Sequence, residues 1–106
     1  MVNILGTTDP SVEAVRGMLD EFCLKHPDAQ ATTYRYGTAS IRVRIVSESF
    51  ATIDEVDRHD YVWPYIEALD EDVVEQITVV LLLTPKELAA GKSMMNIEFE
   101  DPSSLS

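Results

Sequence analysis

The chain has 106 residues, with eight Lys and Arg against 19 Asp and Glu, a formal net charge of −11 with both histidines neutral. That length suits one globular domain and excludes a two-domain enzyme, while 45% hydrophobic and 25% charged residues exclude wholesale disorder. The acidic balance repels polyanions at long range, so nucleic-acid binding would need a locally clustered basic face.

The first predicted element follows Asp9-Pro10, because Asp9 can cap free N–H groups and Pro10 suits the first helical position. Val12, Val15, Met18, Leu19 and Phe22 then recur at three- and four-residue spacing as one apolar stripe, and Pro27 bounds the helix. Residues 31–36 and 39–46 read as strands joined by a two-residue turn at Gly37-Thr38. Counting back from a Tyr36–Ala39 pair puts Tyr34, Tyr36, Ala39, Ile41, Val43 and Ile45 on one face, the core. Ala31, Thr33, Arg35, Ser40, Arg42 and Arg44 take the other.

Thr52-x-x-Glu55 has the form of a capping box, so a second helix is expected from near Ile53 towards Leu69, kinked or restarted at Pro64. The run 77–83, ITVVLLL, is apolar on both alternating sides and reads as a buried strand. Thr84-Pro85-Lys86-Glu87 combines an N-cap, a proline at the first helical position and a capping-box glutamate, with Gly91 placed to end a short helix. The predicted order is helix, strand, strand, helix, strand, helix, an α+β domain over residues 1–91. Residues 92–106 are expected to be an acidic C-terminal extension. Its alternating Met95-Asn96-Ile97-Glu98-Phe99-Glu100 suits an added strand, and Pro102-Ser103-Ser104 favours a disordered end.

A single cysteine, Cys23, forms no internal disulfide and no thiolate pair, which fits a reducing, cytoplasmic setting; beside the apolar stripe it reads as a small core residue. The start MVNILGTTDP has no basic n-region, and no run of 18 apolar residues occurs, so neither a signal peptide nor a membrane span is expected. No nucleophile elbow, phosphate-binding glycine loop or metal-protease helix is present, and catalysis is not expected.

Between Arg42 and Gly91 the sequence resembles the BolA family. The resemblance rests on VRIVSESF at 43–50, on Arg58-His59 followed by Val62, Trp63 and Ile66, and on the closing Thr84-Pro85-Lys86-Glu87, in that order and spacing. It implies a fold like that of type II KH domains, a three-stranded sheet with helices on one side. It also implies a non-enzymatic interaction or regulatory protein, associated with monothiol glutaredoxins, iron–sulfur cluster handling, stress responses and, in some bacteria, DNA binding. The family histidine falls on His59, a candidate cluster ligand shared with a glutaredoxin-like partner, with no cofactor expected in the isolated chain. The turn Gly37-Thr38-Ala39 lacks the His or Cys that many members place there, and Asp60 stands where a basic residue commonly follows the histidine.

Other side chains suggest surfaces. Arg35, Arg42 and Arg44 gather three of the eight basic residues on one predicted sheet face, which invites phosphate, a nucleic-acid backbone or an acidic protein segment; surplus carboxylates could equally balance it. No GxxG clamp of the KH type is present. Arg58 and Trp63 are candidate partner-binding residues, with Arg58 pairing either to a partner carboxylate or to Asp54, Glu55 or Asp57. A nucleic-acid-binding regulator and a structural or assembly module are the competing readings. Because both sides of strand 77–83 are apolar, three readings stand side by side: the C-terminal extension covers one of them, a second copy in a symmetric homodimer covers it, or the extension is disordered and covers nothing.

Overall fold

Two sequence signals at helix starts carry through directly into the computed structural model, which describes residues 1–90. Asp9 caps helix α1 (Pro10–Lys25), its carboxylate accepting from the backbone N–H of Ser11 at 3.0 Å and of Val12 at 3.1 Å. Thr84 and Glu87 form the reciprocal box at helix α4 (Pro85–Ala90): the Thr84 N–H donates to Glu87 Oε1 at 2.9 Å, and the Glu87 N–H donates to Thr84 Oγ1 at 3.1 Å. The box expected at Thr52 does not form. A 3₁₀ helix, Glu48–Thr52, takes that stretch, capped by the Ser47 hydroxyl, and α2 (Glu55–Glu67) begins after Asp54. Pro64 lies inside α2, and the acidic stretch that follows forms a separate short helix, α3 (Glu71–Val74).

The sheet has four strands rather than three. A strand β1 (Val2–Leu5) precedes α1 and runs parallel to β2 (Gln30–Tyr36); β2 is antiparallel to β3 (Ser40–Val46), which runs parallel to β4 (Ile77–Leu83). The spatial order is β1-β2-β3-β4, so among the described residues β4 is an edge strand. The α+β class holds, and β1, the 3₁₀ helix and α3 are additions to the predicted order.

The hairpin corrects the expected register. Tyr36 pairs with Ser40, not Ala39, leaving three loop residues with Gly37 at φ +68°. One extra loop residue turns every side chain of β2 over relative to β3. Ala31, Thr33 and Arg35 therefore share a face with Ile41, Val43 and Ile45, while Tyr34 and Tyr36 share one with Arg42 and Arg44. A side chain at Gly37 would sit in a left-handed conformation, so Gly37→Ala should cost about 1 kcal/mol in equilibrium unfolding; an unchanged midpoint would show that the loop relaxes.

On the first face, α1 contributes Val12, Val15, Leu19 and Phe22, α2 contributes Val62 and Ile66, and α3 contributes Val73, all against Ala31, Ile41, Val43, Ile45 and Leu82. Thr33 is fully buried there, its hydroxyl donating to the Arg42 carbonyl at 2.9 Å. In β4 the register slips at Ile41/Arg42, so that Ile77 pairs with Ile41 and Val79 with Arg42. This bulge resolves the two-sided pattern of the strand: Ile77, Val80 and Leu82 join the core, and Val79, Leu81 and Leu83 accompany Arg42, Arg44 and Val46 on the second face. The expected C-terminal strand, its disordered end and the helix stop at Gly91 lie outside the described residues.

Candidate functional site

Helix α2 sorts its side chains by a spacing of four. Arg58, Val62 and Ile66 are buried, and Glu55, His59 and Trp63 form an exposed row beside them. His59 and Glu55 line a groove of about 620 Å³ along β4, completed by Val80, Leu82, Lys86 and Ala90. Trp63 is 45% exposed. His59 and Trp63 thus stand on one helical face.

Arg58 takes a different place. It is 5% exposed, and its guanidinium grips Glu87 with two bonds, Nη1 to Oε1 at 2.7 Å and Nη2 to Oε2 at 3.2 Å. It also donates to the Leu82 carbonyl at 3.1 Å and, through Nε, to the Ile53 carbonyl at 3.1 Å. Its carboxylate is therefore neither a partner's nor one of Asp54, Glu55 and Asp57; the side chain ties α2, β4 and α4 together beneath the groove. The Arg58 guanidinium, and next the Thr84 N–H, hold the Glu87 carboxyl below its ordinary range.

The three sheet arginines do not form one cluster. Arg35 points to the helix side, where Nε and Nη2 bind the two carboxylate oxygens of Asp9 at 3.0 and 2.9 Å and Nη1 donates to Gln76 Oε1 at 2.7 Å. That pairing, ahead of the α1 N–H groups, holds the Asp9 carboxyl below its ordinary range. Arg42 and Arg44 lie on the second face. Arg42 stacks on Tyr36, its guanidinium carbon 3.6 Å from the ring centroid, and donates to Tyr34 Oη at 3.3 Å. It is only 6% exposed, so it is part of the packed sheet and not a solvated surface charge. Arg42→Ala should cost about 1–2 kcal/mol through lost stacking and packing, measurable by denaturant unfolding; a loss under about 0.5 kcal/mol, the usual range for surface substitutions, would contradict the burial.

The sequence reading passed over His26, which the fold brings against α2. Its Nδ1 lies 3.4 Å from Ser49 Oγ, its Nε2 lies 3.4 Å from Tyr61 Oη, and its ring packs on Phe22 at 4.4 Å. No spacing in the sequence joins residues 26, 49 and 61, so no local signal could have found the cluster. Cys23, expected in the core, is half-buried at its margin with Sγ 3.7 Å from the Ala29 carbonyl.

Iron–sulfur clusters take four protein ligands, mostly thiolates and occasionally imidazoles. Among the described residues no group of three or more His, Cys, Asp or Glu is placed to hold a metal ion. His59 is the one soft donor on the groove, so a cluster bound by this donor set alone does not fit; His59 could complete a site only as one ligand among those of a partner. No helix among the described residues is long and apolar enough to cross a membrane. Compared with family models, curated proteins and solved structures, the chain matches none.

Proposed function

We propose that this protein is a BolA-like interaction and regulatory module, without catalysis of its own, that binds a monothiol glutaredoxin-type partner in iron–sulfur or stress regulation in the cytoplasm. The observation that carries the reading is the placement of His59: exposed, beside Trp63 on one face of α2, at an apolar groove running along β4. A partner seated there would meet an imidazole free of any hydrogen bond among the described contacts and a flat aromatic surface. The core order α1, β2, β3, α2, β4, α4 supports the same reading, since it is the order that the sequence resemblance implies.

The nucleic-acid reading is weaker than the sequence suggested, because Arg35 stands on the opposite face from Arg42 and Arg44 and is engaged by Asp9. Titrating the chain with a cluster-loaded monothiol glutaredoxin, with visible absorbance and circular dichroism as readouts, tests the leading reading. His59→Ala should leave the unfolding midpoint unchanged and remove this chain's change to the cluster spectrum. An identical spectrum with the variant would exclude His59 as a ligand, and no complex with either protein would overturn the partner assignment.

A further inference from the structure

A groove of about 790 Å³ lies between helices α1 and α2. Met18, Tyr65 and Leu69 give it an apolar lining, and Gly17, Pro64 and Ala68 form its exposed margins. Two of these margins weaken their own helices. Glycine is among the poorest residues for a helix interior, yet a methyl group at Gly17 would meet no atom of a neighbouring element within 4 Å among the described residues. Packing between the described elements therefore does not call for glycine there. Pro64 lies inside α2 and has no N–H to donate to the Asp60 carbonyl one turn back. Both helix-weakening residues border the same apolar groove, and at Gly17 the missing side chain leaves room for a close approach from outside.

We propose that this groove seats a short basic amphipathic helix of a partner protein. Gly17 to Lys25 on α1 spans about 12 Å, roughly two helical turns, which matches the i, i+3/i+4 and i+7 anchors of a docked helix. The partner's basic character follows from the charge around the groove. Residues 16–25 and 60–72, which carry the lining, hold seven Asp and Glu against Arg16 and Lys25. Glu21 belongs to the lining itself, and Glu67 stands one turn beyond Pro64 on the same helix. Arg16 pairs with Glu13 at 2.8 Å and Lys25 lies 5.5 Å from the Tyr65 ring centroid, so carboxylates stay in surplus. A nucleic acid, an anionic membrane and a second copy of this chain, at −11, would each be repelled. An apolar helical stripe flanked by Lys or Arg meets both the lining and its charged surroundings. The groove shares no lining residue with the one at His59, so this inference is independent of the partner proposed there.

The test uses the full-length chain and a fluorescein-labelled peptide of leucine and lysine, about 18 residues long, with every leucine on one helical face. Fluorescence anisotropy should show it bound at least about tenfold more tightly than an isomer with the leucines spread around the helix, or than the same design with glutamate for lysine. Gly17→Leu should weaken that binding by about tenfold or more, because the new side chain fills the seat without changing the charge. Leucine favours a helix over glycine, so the unfolding midpoint of this variant should hold or rise, which separates blockage from a folding defect. Ala68→Leu repeats the test from the opposite margin. Thr38→Leu, exposed at the hairpin loop, should leave binding unchanged. Equal affinity for the two leucine-lysine isomers, or undiminished binding by both Gly17→Leu and Ala68→Leu, would show that surface charge alone holds the peptide; either overturns the proposal. So would a groove that takes the uncharged apolar dye Nile red, loses it in Gly17→Leu and binds no peptide, since its ligand would then be a small molecule.

Discussion

Glu87→Ala should lower stability by about 3 kcal/mol or more, because it leaves a buried guanidinium without its carboxylate. Arg58 is 5% exposed, and its guanidinium donates to Glu87 at 2.7 Å and to the carbonyls of Leu82 and Ile53, each at 3.1 Å. The same substitution also removes the acceptor of the Thr84 N–H at the start of α4, a capping loss of about 1 kcal/mol in its own right. Glu87→Gln keeps an acceptor and should cost clearly less. Denaturant unfolding of the two variants decides it: equal, small losses would mean that the Arg58 charge is solvated. The pH dependence follows the same pair. The folded Glu87 carboxyl is held below its ordinary value of 4.5, so its contribution is complete above that value and fades as pH falls through the lower folded one. The stability gap between the native chain and Glu87→Gln should therefore narrow on acidification, and a gap that widened would reverse the assignment.

Phe22→Ala should be equally damaging for a different reason. The ring is fully buried and meets Tyr65 at 5.3 Å and Phe50 at 6.2 Å between centroids, with His26 at 4.4 Å. Removing it opens a cavity where α1, α2 and the 3₁₀ helix converge, for an expected loss of about 3–5 kcal/mol. Phe22→Leu, which fills most of the space, should lose about 1–2 kcal/mol. Near-equal values for the two would show that the surrounding rings collapse into the gap.

What could be read from the sequence depended on whether the decisive contact was local. Asp9 and the Thr84–Glu87 box act within one helical turn, and both starts were predicted to the residue. The stripe Val12 to Phe22 needed only helical period, and all five residues are buried. The hairpin failed by one position because a two-residue and a three-residue loop can both begin with Gly37; the choice falls to the burial of Ala31 and Thr33 on the helix side, which is tertiary. That single position moved Arg35 from the proposed anion face to the cap of α1. Strand β1 escaped notice because four residues give too short an alternation to stand out. At the candidate site, His59 and Trp63 were singled out by resemblance alone, whereas the burial of Arg58 depends on Glu87 from a distant element.

The sheet joins one local hairpin to two long crossovers. Tyr36 meets Ser40 across a three-residue loop, whereas Val2 meets Ala31 only by way of α1, and Ile41 meets Ile77 only by way of α2 and α3. Closing each crossover requires ordering a whole helix, so the hairpin can assemble before either outer strand docks. The molecule then has a hierarchy of opening. Detachment of β1 leaves the β2–β3–β4 ladder whole, while detachment of β4 also strips Arg58 of its Leu82 carbonyl and loosens the floor of the His59 groove. Solvent should reach the amides of β1 through openings that leave the groove intact, and a protease that cuts near the N-terminal strand should spare the surface on which the partner is proposed to sit.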